Sequence, residues 1–395
     1  DQDWDVATVI TVDGTIDAGD SASAIVLRST PSNTISMTIN NGGNVYARSF
    51  YPTNFAGGNN STVTVNAGGL LRVGNLALKS TGYIDFANPG MVVTGGGTFT
   101  LLPKTGLYIG APAGLDPTSG PIRTTTRNFS TGANYIYNGT SAQVTGSDLP
   151  SLIRYLNINN PAGLTLTNNV AVDSSLYLDA GVVTTGSKVL ELKPWAGANR
   201  LPGWGYIYGN YKRGVDATWN GISRTFHIGD ATNFTPIQMT IGTVTTPGDL
   251  TISTTASDHP NIATSDMNSS KSVNRYWTIA NNSTVFDNYS ATFNYRPADL
   301  DGGASSTYLL AKKWDGVNWS PLTIGSKVDT TVTVTGVTSF SDFAFGEEMY
   351  TLTASGTHGG VNKSPSQALY GRGDIVQLTA VPDDHYHFVD WTGDL

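Results

Sequence analysis

Residues 63–74 read VTVNAGGLLRVG, in which two short apolar runs flank a polar corner with two glycines. An apolar residue at every second position predicts a half-buried β-strand, and Asn and Gly between the runs predict a tight turn. The same order of strand, polar turn, glycine and strand recurs at other places in the first half: INNGGNV at 39–45, IDFANPGMVV at 84–93, FTLLPKTGLYIG at 99–110 and LNINNPAGLTL at 156–166. Repeated pairs of short strands therefore build this part of the chain.

The spacing of these corners predicts a β-solenoid over residues 1–200. Gly43, Gly69, Gly90 and Gly106 follow one another at intervals of 26, 21 and 16 residues, around a period of roughly 20 residues. Each coil of a solenoid buries its inward Val, Ile and Leu side chains only when another coil stacks on it. Because the intervals are unequal, we expect an irregular β-helix with loops.

The composition favours an all-β fold for the whole chain. Of 395 residues only three are glutamate, Glu191, Glu347 and Glu348, whereas Thr, Val, Ser, Asn and Gly are abundant. No window carries apolar residues at helical spacing for three turns, so we expect α-helix in under about a tenth of the chain, against a typical third. A hydrophobic content of 39% argues against disorder.

Charge and cysteine content exclude several classes of function. The formal net charge is −8, so there is no basic excess to replace counterions on nucleic acid or to dock on an anionic membrane. No run of 18 apolar residues occurs, so no membrane span is expected. The absence of cysteine removes disulfides and thiolate chemistry, and a secreted chain of this kind is more typical of bacteria. The chain starts without an export signal, so any such signal is expected to have been removed.

A break in the repeats divides the chain. Residues 194–205, PWAGANRLPGWG, contain two prolines and two tryptophans and indicate a boundary or a long corner loop. Beyond it, short strand candidates follow at the spacing of a β-sandwich, which is predicted for residues 201–348. Residues 349–395 are predicted to form a small β module with its own core, so its removal is expected to leave the rest folded.

Four stretches of the second part resemble, in their order, a known architecture. They are NRYWTI at 274–279, YSATFNY at 289–295, KWDGVNW at 313–319 and SFSDFAFG at 339–346. This series resembles the sandwich segment of large surface proteins that certain Gram-negative bacteria export through the type IX secretion system. An earlier stretch, YIYNGTSAQ at 135–143, is similar to the solenoid part of those proteins. The resemblance implies a secreted, modular surface protein, in a family with many unrelated activities.

The last residues resemble the divergent internalin-type B-repeat, a small β module of bacterial surface proteins. The resemblance is carried by YTLT at 350–353, GGV at 359–361, Pro365, Tyr370, Gly373, VQLTA at 376–380, Pro382, YHF at 386–388, Trp391 and GD at 393–394. In that family Tyr, Phe and Trp build a miniature core and glycines make turns. The family pattern continues past the Gly-Asp pair, so the native polypeptide is expected to continue beyond Leu395.

No arrangement of residues in the sequence predicts catalysis. A two-carboxylate glycosidase needs paired acids on one face, and the acids of the first half are sparse and do not recur at coil spacing. That half also lacks histidine. A polysaccharide-active β-helix would rest on fold analogy alone, so we predict that the chain is not an enzyme.

Calcium is the one cofactor that the sequence leaves open. Asp299 and Asp301, and the run DGTIDAGD at 13–20, could supply oxygen ligands. Neither run holds the six to eight oxygens of a recognisable calcium loop, and Asp and Gly are also common in turns, which is the preferred interpretation. His385 and His387 are expected on one side of a strand, but two ligands alone do not make a zinc site.

Two tryptophans are candidates for stacking on sugar rings. Trp195 and Trp204 lie in the Gly- and Pro-rich loop, where exposure is expected, whereas Trp277 and Trp314 alternate with strand residues and are predicted to be core. The Arg-Gly-Asp run at 372–374 spells the tripeptide that integrins bind, but it falls where a B-repeat needs a turn. Glycan binding through Trp195 and Trp204 stays an alternative to a purely structural role.

The first strand bears on assembly. Residues 5–13, DVATVITVD, place Val6, Val9, Ile10 and Val12 in an apolar strand close to the N-terminus. A solenoid end exposes strand edges that must be capped or paired. Either this strand caps its own first coil, or it adds to an edge of a neighbouring subunit and builds a head-to-tail fibre. Together these features predict a secreted structural or adhesive protein, with itself and extracellular glycans as candidate partners.

Overall fold

The computed structural model describes residues 8–17, 24–29, 35–47, 49–54, 62–65, 70–73, 83–86, 92–201 and 204–393. Within these residues there is no α-helix, and the only helical turns are four 3₁₀ segments: Ala217–Trp219, Ile262–Thr264, Pro297–Asp299 and Ser306–Tyr308. The all-β fold class is therefore confirmed. Two compact units are distinguished, Asp1–Thr254 with Ile279–Asp287, and Thr255–Thr278 with Asn288–Leu395. The domain limits expected at residues 200 and 348 stay predictions.

The first unit is a β-solenoid of about 7 turns followed by further strands. In chain order its strands are β1 (Thr8–Val12), β2 (Thr15–Asp17), β3 (Ala24–Ser29), β4 (Ile35–Ile39), β5 (Asn44–Ala47), β6 (Ser49–Asn54), β7 (Thr62–Val65), β8 (Leu70–Val73), β9 (Tyr83–Phe86), β10 (Val92–Leu101), β11 (Gly106–Ile109), β12 (Ile122–Phe129), β13 (Asn134–Tyr137), β14 (Gln143–Val144), β15 (Leu152–Asn159), β16 (Leu164–Thr165), β17 (Val170–Ala180), β18 (Val182–Leu192), β19 (Gly197–Asn199), β20 (Tyr206–Val215), β21 (Ser223–Phe226), β22 (Ile228–Gly229), β23 (Ile237–Ile241), β24 (Val244–Thr246) and β25 (Gly248–Thr255).

Parallel ladders form the faces of the solenoid. One ladder runs β1, β4, β7, β10 and a second runs β2, β5, β8, β10. A third runs through β3, β6, β9, β11, β13, β15, β17 and β19. Strand β10 serves two ladders because it bends at Gly95, whose φ is +113°. A Cβ at Gly95 would lie 2.2 Å from the carbonyl oxygen of Val65, so only glycine fits this bend.

The coils become shorter along the solenoid. The side chain of Asn40 donates to Asp13, which lies 27 residues back in the preceding coil. Farther along, Asn157 donates to Asp179, 22 residues on in the next coil. The period of roughly 20 residues that the glycines predict therefore holds for the later coils and is too short for the first ones. Of the glycines used for the spacing, Gly43 directly precedes β5 and Gly106 begins β11, and these two strands lie in different ladders.

A buried amide holds three consecutive coils together at one corner. Gln143 is 2% exposed, and its Nε2 donates to the carbonyl oxygens of Ile109 and Ala111, both at 2.9 Å. Its Oε1 accepts from the Gly139 amide at 3.0 Å and from Asn160 Nδ2 at 2.8 Å. Because every polar atom of the Gln143 side chain has a partner, its burial costs little and the amide specifies the register between coils.

The last rung of the solenoid has partners along both edges. Strand β20 pairs in parallel with β18 on one side, and on the other side it pairs in parallel with β22 and antiparallel with β25. Strand β21 pairs antiparallel with β23. Antiparallel strands thus follow the parallel ladder and satisfy the backbone groups that its final edge would otherwise expose.

The second unit contains two antiparallel sheets and a small repeat. The remaining strands of the chain are β26 (Met267–Ser272), β27 (Tyr276–Asn282), β28 (Val285–Phe286), β29 (Tyr289–Asn294), β30 (Leu309–Trp314), β31 (Trp319–Pro321), β32 (Thr323–Val328), β33 (Thr331–Val337), β34 (Asp342–Tyr350), β35 (Gly359–Ser364), β36 (Tyr370–Gly371) and β37 (Gln377–Pro382). Of these, β28 belongs to the first unit and pairs with β24.

Aromatic side chains from both sheets of the second unit meet in its core. Strand β33 lies between β29 and β32 in one sheet, and β34 pairs with β26, β27 and β30 in the other. The ring of Phe293 on β29 lies 5.0 Å from Phe343 and 5.5 Å from Phe345 on β34. Trp277 is fully buried beside them, as its alternation predicts, whereas Trp314, predicted to be core on the same ground, is only half-buried. Two sheets that share one aromatic core form a sandwich.

Candidate functional surfaces

The Gly- and Pro-rich corner presents both predicted tryptophans at the surface. Trp195 is 69% exposed and Trp204 is 39% exposed. Arg200 fixes the corner, because its Nε donates to the Gly205 carbonyl at 2.7 Å and its Nη2 donates to the Trp204 carbonyl at 2.8 Å. The guanidinium carbon of Arg200 lies 3.6 Å above the ring centre of Phe234. Exposed indoles on a fixed backbone can stack on sugar rings, and glycan binding by these residues stays a prediction.

A cleft of about 350 Å³ opens in the first unit beside Tyr208, a residue that the sequence analysis did not select. Thr165 and Thr184 pair on neighbouring coils, and Thr184 pairs in turn with Tyr208, which is 37% exposed. None of the side chains that line the cleft is charged, so it suits an uncharged ligand. No sequence signal places these three residues side by side, because the register between coils decides it.

Asp299 and Asp301 are engaged by hydrogen-bond donors of the protein. Arg275 donates to Asp299 from Nε at 2.8 Å and from Nη2 at 3.3 Å. Asp301 accepts from the backbone amide of Ser272 at 2.9 Å and from Asn274 Nδ2 at 2.6 Å. Among the described residues, no group of three or more His, Cys, Asp or Glu side chains is placed to hold a metal ion. Both carboxylates therefore bond to neighbouring segments of the second unit, and calcium binding by them stays a prediction.

A buried histidine of the second unit is held by its neighbours. His259 is 3% exposed, and its Nε2 lies 3.2 Å from Asp342 Oδ2. Its Nδ1 accepts from the backbone amide of Asn261 at 3.1 Å. The rings of Trp319 and Tyr276 meet the imidazole edge-on, with centroids at 4.8 and 5.1 Å. Both nitrogens of His259 therefore have partners within the second unit.

The Arg-Gly-Asp run does not present its charged side chains freely. The guanidinium carbon of Arg372 lies 3.6 Å above the ring centre of Tyr308, and its Nε lies 3.4 Å from Glu347 Oε2. Asp374 accepts from the Gly371 amide at 2.7 Å. Both charged members of the tripeptide are thus used within the second unit, which argues against an integrin-binding loop.

The repeat module combines a two-stranded sheet with half-exposed aromatic residues. Strand β35 pairs with β37, and β36 pairs with the end of β34. Tyr370 is buried, whereas Tyr386, Phe388 and Trp391 are 51%, 45% and 45% exposed and line a cleft of about 370 Å³. The miniature aromatic core that the B-repeat resemblance implies is therefore only partly closed among the described residues.

The histidines that follow β37 lie outside any strand. Strand β37 ends at Pro382, and His385 sits in a turn with a φ of +70°. His385 and His387 are both exposed. The expectation that they share one side of a strand is therefore wrong, because the chain turns before it reaches them.

The N-terminal strand belongs to the first coil of the chain itself. Strand β1 pairs in parallel with β4, which sets Val12 beside Ile39. Val12 is 3% exposed and Ile10 is half-buried, while Val6 and the side chain of Val9 lie outside the described residues. Within the described part of the chain, no strand pairs with the other edge of β1. Strand addition by a neighbouring subunit at that edge stays a prediction.

Comparison with known proteins identifies one segment. Residues 350–395 match the divergent InlB B-repeat domain, which confirms that resemblance. No curated protein and no solved structure matches the chain. Among the residues whose placement is described, no helix is long and apolar enough to cross a membrane. The chain therefore joins a β-solenoid and further β-sheets to a B-repeat.

Proposed function

We propose that this chain is a non-catalytic part of a bacterial surface protein with structural or adhesive work outside the cell. The observation that carries the proposal is the B-repeat at residues 350–395, which accompanies an all-β solenoid. Only 13% of the residues are charged and none is cysteine, a composition that suits a hydroxyl- and amide-rich extracellular surface. Export by a type IX system is part of this proposal and rests on the resemblance of residues 274–346.

Surface exposure is tested in the bacterium that encodes the chain. Intact cells are treated with protease and then probed with antibodies against the solenoid and against a cytoplasmic control protein. We expect the solenoid to be cleaved while the control is spared. A strain that lacks the secretion system is expected to retain the chain inside. Protection of the solenoid on intact cells, with cleavage only after lysis, would contradict the proposal.

The proposal contains no catalysis. This part of the proposal is supported by His259, whose two ring nitrogens both have protein partners. It is also supported by Asp299 and Asp301, whose carboxylates accept hydrogen bonds from protein donors. The purified chain is incubated with a panel of acidic and neutral polysaccharides. New reducing ends or unsaturated sugar products, above the level seen with heat-denatured protein, would overturn the non-catalytic assignment.

Self-assembly through β1, at the edge where no described strand pairs with it, is the finer structural role that we propose. An unpaired strand edge is a template for strand addition, and head-to-tail addition does not close, so it produces fibres. Deletion of residues 1–12 is expected to abolish fibres in light scattering and negative-stain images. Deletion of residues 349–395 is the matched control and should leave fibres intact. Monodisperse full-length protein at high concentration would refute this mechanism.

Glycan binding at the exposed corner is a second candidate function. It is favoured by the exposure of Trp195 and Trp204 and by the way Arg200 fixes their backbone. On a glycan array, Trp195→Ala and Trp204→Ala are expected to lose signal. Leu201→Ala, an exposed apolar side chain in the same corner, is the control and should bind normally. Equal signals from all three variants would exclude this corner as the binding site.

A further inference from the structure

Two arginines accompany one buried tryptophan in the first unit. The guanidinium carbons of Arg213 on β20 and Arg224 on β21 lie 5.3 and 5.8 Å from the ring centre of Trp219. Trp219 is fully buried and Arg213 is 4% exposed. His227 follows β21 directly, and Arg213 acts on it electrostatically. We refer to Arg213, Arg224, Trp219 and His227 as the cation cluster.

Neither arginine of the cation cluster has a carboxylate partner among the described residues. Arg213 Nη2 donates to the carbonyl oxygen of Ala196 at 3.2 Å, and Arg224 Nη2 donates to that of Thr218 at 3.3 Å. Backbone carbonyls carry no net charge, so no carboxylate of the described residues compensates either guanidinium, and only the half-buried Arg224 is open to water. Stacking on an indole gives a cation only part of the stabilisation that a counter-ion gives.

The acidic side chains close to the cluster in the chain serve other groups. Asp216 accepts from the amide and hydroxyl of Thr218. Glu191 and Asp249 pair with Lys212, at 3.4 and 3.1 Å. Asp230, three residues beyond His227, accepts from the backbone amides of Thr232 and Asn233. Among the described residues, none of these carboxylates forms an ion pair with Arg213 or Arg224.

Nitrogen atoms of all four side chains are buried without a hydrogen-bond partner. They are the Nε atoms of Arg213 and Arg224, Nε1 of Trp219 and Nδ1 of His227. Burying a donor without an acceptor costs free energy, and burying a cation without a counter-charge costs more. A water molecule can accept a hydrogen bond here but supplies no negative charge.

The pKa of His227 is lowered by burial and by nearby positive charge. Burial and the charges of Arg200 and Arg213 lower the pKa of His227 to about 4. The imidazole is therefore neutral at pH 7, and the positive charge of the cluster lies on its guanidinium groups.

We propose that the cation cluster is a binding site for a small inorganic oxyanion such as sulfate or phosphate. The Nε–H groups of Arg213 and Arg224 and the indole N–H of Trp219 donate to its oxygens. Arginine suits this task because its planar guanidinium matches oxyanion geometry and keeps its charge when buried. Since Arg213 is almost fully enclosed, the ion stabilises the fold at the end of the solenoid and is not a recognition site for a polymer.

Calorimetric titration tests this site with sulfate and phosphate as separate probes, at an ionic strength held constant with chloride. Saturable binding at one site per chain is expected, with a rise in the unfolding temperature that also saturates. Arg213→Gln and Arg224→Gln are each expected to weaken binding by about tenfold or more, because each removes a charged donor. Arg123→Gln is the matched control, since Arg123 is exposed and donates to two backbone carbonyls.

Two results would overturn the proposal. One is the absence of saturable binding for both sulfate and phosphate. The other is an affinity in Arg224→Gln equal to that of the unchanged protein. If Arg213→Gln does not fold, as judged by its β-type circular dichroism, Arg224→Gln decides the matter, because Arg224 is only half-buried.

Discussion

The two units bury arginine in opposite ways. In the second unit Arg275 is fully buried and donates to both carboxylate oxygens of Asp299. In the first unit Arg213 is nearly as buried, but it contacts a backbone carbonyl and the ring of Trp219. Burial alone therefore does not define the role of an arginine. A neutralised pair is an internal part of the fold, whereas an uncompensated cation indicates a charge that comes from outside the chain.

The wider contrast is between repetition and specific pairing. Neighbouring coils of the solenoid are joined by backbone ladders, stacked aliphatic side chains and uncharged amides such as Gln143. Ion pairs also join coils, as between Arg127 and Asp148, whose side chains are 20% and 25% exposed. The pairs of the second unit include members that are almost fully buried, in Arg275 with Asp299 and Glu347 with Arg372. A defect in the solenoid is therefore expected to act on neighbouring coils, and a defect in a pair on the unit that contains it.

The largest expected effect comes from breaking the neutralised pair. Arg275→Met leaves the Asp299 carboxylate enclosed without its cation, which should cost about 4 kcal/mol of unfolding free energy. Arg213→Met strands no carboxylate, so in an oxyanion-free buffer it should cost much less or stabilise the chain. Urea unfolding read by hydrogen exchange separates the two units. A similar loss of unfolding free energy in both variants would contradict the contrast between Arg275 and Arg213.

A core truncation in the solenoid is expected to have the next largest effect. Leu176 on β17 is fully buried, and Leu176→Ala should cost about 3 kcal/mol through lost burial and the cavity it leaves. The loss of amide protection should concentrate in β15, β17 and β19, which stack on one another. Thr165→Ala, at an exposed position, is the control. Uniform loss of protection across both units would show that the solenoid does not respond locally.

The pair that joins the repeat to the sandwich should matter less. Glu347 is 1% exposed and keeps a bond from the Ser305 amide at 2.7 Å when Arg372 is removed. Arg372→Met should therefore cost about 2 kcal/mol. Lys363→Met, which alters a lysine bonded to the Leu352 carbonyl, is the control within the module. Deletion of residues 349–395 should leave the rest of the chain folded. Its free energy of unfolding should fall by at least as much as in Arg372→Met. Failure of the truncated chain to fold would contradict the prediction of an independent module.

The smallest expected effect is the change in unfolding free energy that the titration of His227 causes over one pH unit. Its folded-state pKa of about 4 lies below the ordinary value of 6.5, so the unfolded chain binds more protons between these values. The stabilisation is complete above pH 6.5 and is lost as the pH falls toward 4, by roughly 1 kcal/mol per pH unit. His227→Gln should flatten this part of the stability profile measured by urea unfolding. An unchanged slope in the variant would show that His227 is not the titrating group.

The local pattern of the sequence by itself determined the all-β fold class and the place of the B-repeat. Alternating apolar residues, polar corners with Asn and Gly, and only three glutamates predict an all-β solenoid, because burial at every second position is a property of the strand itself. The B-repeat could also be found from sequence, since its Tyr, Gly, Pro and Trp residues lie at fixed offsets within one short segment. Trp277 was predicted to be core by the same alternation and is fully buried.

Only the tertiary structure decided which side chains contact one another. Asp299 could have been a calcium ligand by sequence, and it is the position of Arg275 in the fold that makes it half of an ion pair. The place of Tyr208 beside Thr184, and the choice of the Ala196 carbonyl as acceptor for Arg213, follow from register between coils. Register depends on coil lengths that change along the solenoid. A sequence pattern specifies which face of a strand a residue takes, but not which residue some 20 positions away will meet it.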